Sequence, residues 1–369
     1  MQIEKKDIRA LSKEQLRDFF VSNGDKAFRG NQVYEWLWSK GAHSFEDMTN
    51  VAKPTRQMLE DHFVINHIKV DTMQRSEDGT VKNAVRLHDG LIVESVLIPT
   101  ETRTTACVSS QVGCSLDCNF CATARLKRMR NLEPGEIYDQ VVAIDRESRL
   151  YYNHPLSNIV FMGMGEPLLN YDNVVSALRL MLDDRAYGLS RRRVTVSTSG
   201  VVPMIDRLAQ DCPVALAVSL HAPNDKLRDQ LVPLNQKYPL RELLAACERY
   251  LPFAPRDFLT FEYCMLDGVN DSDIQAKELV RLLANIKCKI NLIPFNPFPE
   301  SGLKRSSAQR VHAFASILLD AGMVATVRKT RGDDIAAACG QLAGDVVDRT
   351  RVRERAVHKA EIELTEVES

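Results

Sequence analysis

The sequence predicts an α/β protein. Its main body is a partial (β/α)6-type barrel, preceded by a small N-terminal helical domain and a β extension. Three observations support this: residues 1–65 have helical periodicity, residues 66–98 change to strands and turns, and strands and helices alternate after residue 100. Such alternation is typical of parallel strands joined by crossover helices. About six or seven units suit an incomplete barrel, and an open doubly wound sheet is the alternative.

The helical domain contains three predicted helices. The first follows Ser12, a residue type preferred at helix N-caps. The second carries Val33, Trp36 and Leu37 on one face, at the spacing of an amphipathic helix. The third has Pro54 near its start, where proline is tolerated because the first helical N–H groups have no partner inside the helix.

The β extension and the barrel follow. Three strand segments with turns at Asp78–Gly79 and Asp89–Gly90 fill residues 66–98. We assign residues 99–330 to the barrel and residues 331–369 to a C-terminal loop and helical tail. The predicted barrel strands are TTACVSS, NIVFMG, RVTVSTS, VALAVSL, FLTFEYCML, KINLIPF and MVATVRK. The predicted barrel helices lie near residues 135–149, 171–183, 201–210, 239–251, 272–285 and 305–321.

Composition narrows the possible function classes. The 369 residues have a net charge of −1, so any nucleic-acid contact must use local basic patches. No segment approaches the roughly 18 apolar residues of a membrane span, and the first residues lack a signal-peptide pattern. We therefore expect a cytoplasmic protein without membrane contact. Its nine cysteines, an odd number with three in a tight cluster, favour reduced thiols, metal binding or catalysis over a disulfide framework.

The cysteine cluster is the sharpest signal. Cys114, Cys118 and Cys121 have the spacing C-x3-C-x2-C directly after a predicted strand. Three thiolates this close can hold three irons of a [4Fe–4S] cube and leave the fourth iron free for a small molecule. A structural zinc site would need a fourth ligand from elsewhere in the chain, and three buried unreactive cysteines are the remaining alternative.

The spacing of the cysteines, with Phe120 between the last two, resembles the radical-SAM superfamily, whose members cleave S-adenosylmethionine (SAM). Further segments, in order, closely resemble one radical-SAM family, the bacterial dual-specificity 23S rRNA/tRNA adenine-C2 methyltransferases. They are KAFRGNQVYEWLW, VSSQVGCSLDCNFCAT, VFMGMGEPLLN, VTVSTSGVVP, VSLHAPND, INLIPFNPFP and KTRGDDIAAACGQL. One departure is residues 124–128, ARLKR, where a more glycine-rich loop is expected.

The resemblance implies a radical-SAM barrel with one [4Fe–4S] cluster and two SAM molecules per turnover. The product would be a C2-methylated adenosine in 23S rRNA and in tRNAs. The odd-electron route suits this carbon, because it lies between two ring nitrogens and is a poor nucleophile. In such enzymes a cysteine carries the methyl group, becomes a methylene radical and is transiently crosslinked to RNA. An electron donor such as flavodoxin or ferredoxin and a monomeric chain are also implied.

The resemblance assigns catalytic roles to three residues. Cys339 would carry the methyl group, Cys107 would resolve the crosslink through a transient disulfide, and Glu94 would accept the ring proton. We expect the nearby Lys329 and Arg331 to lower the pKa of Cys339. Without the resemblance, the two cysteines would be interpreted as packed hydrophobic residues. Glu94 would be either a solvent-facing residue or a buried carboxyl with a raised pKa.

The resemblance also predicts the SAM contacts, most of which follow predicted strands. Glu166 could accept from the SAM ammonium group, and glycines beside it permit close approach. Singly, each residue would be interpreted as a cap, turn or structural residue, but together at successive strand ends they suit a barrel active site. The full set is Gly165, Glu166, Ser197, Ser219, Leu220, His221 and Asn296.

Basic segments provide candidate RNA contacts. Each could instead be an ordinary solvated surface, and true phosphate contacts would make affinity depend on salt. Lys26 and Arg29 belong to the helical domain, which is thought to help grip RNA in the resembled family. The other candidates are Arg125, Lys127, Arg128, Arg130, Arg191–Arg193, Arg349, Arg351, Arg353 and Arg355.

Three alternative functions stay open at this point. The first is the related adenine-C8 rRNA methyltransferase family associated with antibiotic resistance, which shares the mechanism and the cysteine pair. The second is a zinc-stabilised RNA-binding protein without catalysis. The third is a radical-SAM activase that acts on protein and has no need of Cys339.

Overall fold

The computed structural model describes residues 5–299 and 301–342. Ser12 and Gln15 form a capping box at the start of the first helix, because each side chain accepts the backbone N–H of the other residue. The first unit of the chain is helical, as predicted. Its elements are β1 (Lys6–Asp7), α1 (Lys13–Ser22), α2 (Phe28–Trp38), α3 (Lys53–His62) and β2 (Phe63–Val64), with β1 and β2 parallel.

The β extension is a three-stranded antiparallel ribbon formed by β3 (Lys69–Arg75), β4 (Val81–Arg86) and β5 (Ile92–Pro99). Its turns use glycines with positive φ at Gly79 and Gly90, as the sequence predicted. The extension continues directly into the main sheet, because Val96 of β5 is paired with Cys107 of the next strand.

Strands and helices alternate through the rest of the described chain. The strands are β6 (Thr104–Cys107), β7 (Gln111–Val112), β8 (Arg130–Asn131), β9 (Asn158–Phe161), β10 (Val194–Thr198), β11 (Ala215–Ser219), β12 (Leu259–Met265), β13 (Cys288–Pro294) and β14 (Val324–Val327). The helices are α4 (Pro134–Tyr152), α5 (Tyr171–Leu182), α6 (Val202–Asp211), α7 (Asp225–Leu231), α8 (Leu240–Tyr250), α9 (Asp273–Leu283) and α10 (Ala308–Asp320).

Strand order distinguishes the two predicted architectures. The main sheet has the order β14-β13-β12-β11-β10-β9-β6-β5-β4-β3, and β6 and β9 to β14 run parallel. Spatial order therefore follows chain order, without the reversal that defines a doubly wound sheet. Within the described residues β14 and β3 do not pair, so the barrel is incomplete, as predicted.

All seven predicted barrel strands and all six predicted barrel helices are present. Two features were not predicted from the sequence. One is the helix α7, and the other is the antiparallel pairing of β7, which precedes the cysteine cluster, with β8, which follows it. These elements are short, so their periodicity is too brief to identify. The division at residues 65, 98 and 330 stays a prediction. No helix among the described residues combines the length and the apolar character that crossing a membrane requires.

The helical unit is anchored on α4 by a buried charged contact. Arg9 is only 3% exposed and donates to the Asp139 carboxylate over 2.7 Å. His67 lies 3.3 Å from the other oxygen of Asp139. Burial alone would raise the pKa of Asp139, but the Arg9 charge and the His67 contact hold that pKa below its usual value. Asp139 is therefore a structural carboxylate.

Candidate functional site

The three clustered cysteines converge on an opening at the carboxyl ends of the barrel strands. They line a cavity of about 920 Å³, its mouth included, which we call the main cavity. Of the other predicted site residues, those that line it are Gly165, Glu166, Ser197, Ser219, His221 and Cys339. The sequence prediction that ligand-binding residues meet at this edge therefore agrees with the geometry.

Polar groups of the protein lie beside each clustered sulfur. The Leu116 N–H donates to Sγ of Cys114 over 3.4 Å, and the Ser199 side chain lies beside both Cys118 and Glu166. The backbone of Ala124 lies beside Cys121. Burial raises the pKa of all three thiols, that of Cys114 to about 12. Polar groups beside the sulfurs suit thiolates that a metal holds deprotonated.

The arrangement suits a cluster better than a single ion. A single zinc needs its sulfur ligands about 2.3 Å from one point. Within the described residues, no group of three or more Cys, His, Asp or Glu side chains is arranged so that it could hold a single metal ion. In an iron–sulfur cube each thiolate binds a different iron, so the sulfurs can be farther apart. Three sulfurs at the edge of one cavity, each beside polar groups, therefore fit the [4Fe–4S] group that the superfamily implies.

Gly165 and Glu166 form one wall of the main cavity. Gly165 has a φ of +96°, and a Cβ there would lie 2.5 Å from Cβ of Gln111, so glycine is required. Glu166 is 3% exposed, and its two oxygens accept the N–H groups of Leu168 and Ser199 at 3.1 and 2.8 Å. Burial nevertheless raises the pKa of Glu166. A bound ammonium group would stabilise its ionised form.

His221 is held as a neutral ring. The Cys264 N–H donates to its Nδ1 over 2.9 Å, which leaves the proton on Nε2. Its φ of +59° is unusual for histidine, and Asn270 supports this backbone by donating to the His221 carbonyl. Burial, followed by the charge of Arg228, lowers the pKa of His221 to about 3. The ring also contacts Phe120, with centroids 4.3 Å apart.

The depressed pKa predicts an acid-sensitive fold. The unfolded chain binds a proton at His221 below about pH 6.5, whereas the folded chain does so only near pH 3. Stability should therefore fall as pH decreases through this window, by about 1.4 kcal/mol per unit from this group. Urea unfolding at pH 7 and pH 5 should show about 2 kcal/mol less loss in His221→Asn than in the wild type. Equal losses in the two proteins would contradict the assignment.

A second cavity, the side cavity, joins the two predicted catalytic cysteines. It encloses about 510 Å³ and is lined by Cys107, Cys339, Asn296 and Arg328, among others. Cys339 lines both cavities, so it lies between the clustered cysteines and Cys107. Burial raises the pKa of Cys107 to about 12, and a negative charge on Cys339 contributes to this rise. Cys107 is therefore a neutral thiol at physiological pH.

Arg328 is the cation beside these cysteines. Its guanidinium group lies beside Cys339, and the negative charges of Cys339 and Glu262 raise the pKa of Arg328. The sequence predicted Lys329 and Arg331 as the cations that act on Cys339 and did not predict Arg328. In the structure, a guanidinium nitrogen of Arg331 lies 3.8 Å from the Asp78 carboxylate. The pKa of the guanidinium group is too high for it to lose its proton, so it can stabilise thiolates throughout the physiological range.

The segment that carries Cys339 is tied to the cysteine cluster. The Ala122 N–H donates to the Gly340 carbonyl over 2.7 Å. Asn296 donates to the Cys339 carbonyl over 3.1 Å, which places its amide beside Cys339 and outside the lining of the main cavity. On the other side, Asp334 accepts from Ser76 in the turn between β3 and β4. These contacts fix Cys339 at the junction of the two cavities.

Two predicted site residues line neither cavity. Leu220 is fully buried, and its N–H donates to the Glu262 carbonyl over 3.0 Å. Glu94 is 3% exposed on β5, with one carboxylate oxygen 3.2 Å from Nζ of Lys82. The pairing of Val96 with Cys107 places Glu94 on the same sheet face as Cys107.

Glu262 and Ser199 also line the main cavity, and neither was predicted from the sequence. Glu262 is a 3% exposed carboxylate that accepts from Asn291 over 2.9 Å and lies 3.7 Å from Arg328. The signal was available, because Glu262 is a lone charge in the apolar segment FLTFEYCML, as Glu94 is in LIVESVLIP. Ser199 had no comparable signal, since serine is common in turns.

The candidate RNA contacts are divided between two ends of the barrel. Arg125, Lys127 and Arg128 are exposed just after the cysteine cluster. Arg130 instead forms short ion pairs with Asp89 and Glu136 at 2.6 and 2.7 Å and has a structural role. Arg191–Arg193 precede β10 and lie at the amino-terminal edge, away from the cavity. The remaining candidates, Arg349, Arg351, Arg353 and Arg355, lie outside the described residues.

Comparisons with known proteins agree with this site. The profile of the radical SAM superfamily matches residues 108–280, and that of the ribosomal RNA large subunit methyltransferase N-terminal domain matches residues 6–65. Proteins of Flavobacterium johnsoniae and Flavobacterium psychrophilum, each named a probable dual-specificity RNA methyltransferase RlmN, are 64% identical to this chain over 344 residues. Those matches cover 93% of this chain and 98% and 99% of the relatives.

A solved structure has a similar fold. The crystal structure of a radical SAM methyltransferase from Sphaerobacter thermophilus is 44% identical, covers 92% of this chain and 99% of its own, and has a TM-score of 0.84. Similarity at this identity extends through both the helical unit and the barrel. The chain belongs to the RlmN family of dual-specificity RNA methyltransferases, within the radical SAM superfamily.

Proposed function

We propose that this chain methylates C2 of a specific adenosine in 23S rRNA and in tRNAs through a methylated cysteine and a transient protein–RNA crosslink. One observation carries the proposal: Cys339 lines the main cavity together with the three clustered cysteines and also lines the side cavity with Cys107. A methyl carrier must reach both the place where radicals form and the thiol that releases it. Cys339 meets both requirements.

Cys114, Cys118 and Cys121 would hold one [4Fe–4S] cluster. When reduced, it supplies the electron that cleaves SAM to a 5′-deoxyadenosyl radical. Two SAM molecules would be used in each turnover, one for the methyl group and one for the radical. A low-potential donor such as flavodoxin or ferredoxin would provide the electron, and the chain would act as a monomer in the cytoplasm.

The walls of the main cavity would orient SAM. Glu166 would accept from its ammonium group, and Gly165 would allow it to approach the backbone. Ser197 and Ser219 offer hydroxyl groups at the ends of neighbouring parallel strands, and the protonated Nε2 of His221 is available as a donor. Leu220, which follows Ser219 at the end of β11, would contact SAM through its backbone. Asn296 would contact SAM from the side cavity, which it lines.

Cys339 would first receive a methyl group on its sulfur, with Arg328 stabilising the attacking thiolate. Loss of one hydrogen atom from that methyl group to the 5′-deoxyadenosyl radical would leave a methylene radical, whose carbon bonds to C2 of the adenine. The adduct would then give its unpaired electron to the oxidised cluster and its C2 proton to a base. Cys107 then attacks the sulfur of Cys339. A disulfide forms, the carbon–sulfur bond breaks, and its electron pair stays on the carbon, which gains a proton and becomes the product methyl group.

Removal of the original C2 proton requires a base, and Glu94 is our candidate. One of its carboxylate oxygens lies 3.2 Å from Nζ of Lys82, and it shares a sheet face with Cys107. A Glu94→Gln variant should bind RNA and carry a methyl group on Cys339 but release little product. Full product formation by this variant would show that another group removes the C2 proton.

Nucleoside analysis tests the proposed product. A strain that lacks this protein should lose 2-methyladenosine from 23S rRNA and tRNA, and expression of the wild-type chain should restore it in both. Mass spectrometry with synthetic standards separates the 2-methyl and 8-methyl isomers. Detection of 8-methyladenosine without 2-methyladenosine would replace the proposal by the C8 alternative. Loss of neither nucleoside would contradict both.

A further inference from the structure

Arg228 of α7 is a buried cation that the mechanism above does not use. Only 1% of the residue is exposed, and its guanidinium group donates four hydrogen bonds. Nε donates to the Leu220 carbonyl over 3.1 Å, and one terminal nitrogen donates to the Ser199 and Ser219 carbonyls over 2.7 and 3.0 Å. The other terminal nitrogen donates to Oδ1 of Asn235 over 2.8 Å. Buried arginine is uncommon and normally paired with an acid.

No acid pairs directly with this arginine. Among the residues that the structure describes, no carboxylate oxygen lies within 4.0 Å of its nitrogens. Asn235 separates it from Asp225 and Asp229, to which the amide nitrogen donates over 2.9 and 2.7 Å. Hydrogen bonds to neutral groups satisfy the donors, so the charge is compensated only at a distance, by these two carboxylates through Asn235 and by any further negative group close to α7.

The clustered cysteines are such a group when they hold a metal. The carbonyl of Ser199 accepts from Arg228, and the Ser199 side chain lies beside both Cys118 and Glu166. Two further contacts tie α7 to the cysteine segment, because the backbone and side chain of Asn119 donate to the carbonyls of Leu231 and Gln230. Burial lowers the pKa of Arg228 to about 10.

We propose that Arg228 is a positioning residue for the iron–sulfur cluster, which stabilises the reduced state by its charge and by fixing Ser199 against Cys118. The inference rests on the proposed cluster. Reduction adds one electron to a group already bound by three thiolates and changes no covalent bond of the protein. A buried cation and a hydroxyl beside a ligand sulfur both favour the added negative charge, so both raise the reduction potential.

The contacts also explain why arginine is needed at this position. Its planar fork reaches the ends of β10 and β11 at once, and these strand ends carry Ser197 and Ser219. Lysine would keep the charge but could not reproduce the fork. Glutamine would keep some hydrogen bonding but remove the charge. The two substitutions therefore separate the electrostatic effect from the structural one.

The test compares Arg228→Gln and Arg228→Lys with the wild type. Each protein is purified anaerobically, and its cluster is titrated with dithionite and redox mediators, without SAM, while the reduced cluster is followed by electron paramagnetic resonance. Arg228→Gln should have a more negative midpoint potential than the wild type, and Arg228→Lys should lie between them. A wild-type midpoint in Arg228→Gln overturns the proposal. Arg249→Gln, which changes an exposed arginine paired with Asp206, is the matched control and should leave the midpoint unchanged.

If Arg228→Gln fails to take up iron, the midpoint potential of the cluster in Ser199→Ala tests the proposal instead. It keeps the carbonyl that Arg228 binds and removes only the hydroxyl beside Cys118, so its midpoint should also become more negative. An unchanged midpoint in an iron-loaded Ser199→Ala protein overturns the proposal. Iron and sulfide in the wild type are measured first. Their absence would refute the proposed cluster itself, whereas an intact cluster with unshifted variants refutes only the role of Arg228.

Discussion

Replacement of Cys107 by alanine is expected to leave the substrate RNA covalently joined to Cys339. The two thiols share the side cavity, so removal of Cys107 should block only the step that breaks the carbon–sulfur bond. Product formation should fall by at least about 10³-fold, because nucleophile substitutions commonly have effects of this size or greater. The adduct should appear as a slow band on a denaturing gel, and nuclease digestion with mass spectrometry should place the nucleotide on Cys339.

Two variants control this experiment. Cys339→Ala should form neither product nor adduct, because the methyl carrier itself is missing. Cys288→Ala should behave as the wild type, since Cys288 begins β13 at the amino-terminal edge of the barrel and lines neither cavity. Methylated RNA released at the wild-type rate by Cys107→Ala would refute its resolving role. Full activity of Cys339→Ala would instead revive the activase alternative.

Replacement of Cys118 by alanine is expected to remove the cluster and all methylation. Cys118 is 9% exposed and lies beside the Ser199 side chain, so water has little access to replace it as a ligand. Iron should fall from about four atoms per chain to well below one, and the visible absorbance of the cluster should disappear. Activity should decrease by at least about 10³-fold, because no electron reaches SAM.

The same Cys288→Ala protein provides the control for iron content. It changes a half-buried cysteine that is remote from the main cavity, so it should retain about four irons per chain. Circular dichroism should show that Cys118→Ala keeps its secondary structure, because the sheet does not depend on the cluster for its hydrogen bonds. A Cys118→Ala protein that keeps a full complement of iron and sulfide would refute its assignment as a ligand.

Sequence periodicity predicted the barrel well because its elements bury apolar residues at regular intervals. Segments such as VALAVSL and KINLIPF have the composition and length of buried parallel strands, and both are strands in the structure. The short helix α7 was not predicted, because its sequence DKLRDQL has only seven residues and two apolar positions. Its N-cap Asn224, whose side chain accepts from the Leu227 N–H, was the available signal.

The candidate site was predictable where its chemistry is local in sequence. Three cysteines within eight residues indicate a metal centre by spacing alone. Cys107 and Cys339 are separated by more than 200 positions, and only the family resemblance linked them. Arg328 and Arg228 gave no signal, since an arginine in a sequence is normally interpreted as an exposed charge.

The sequence by itself determined the alternation of strands and helices, the likeness to a family and the cluster of three thiols, because periodicity and spacing are properties of neighbouring residues. Tertiary structure alone decided that Arg328 lies beside Cys339, and that Arg228 is buried behind Ser199. It also divided the site residues between two cavities that meet at Cys339. Burial and the approach of distant charges depend on how the strands close around the site, and no short segment of sequence encodes that closure.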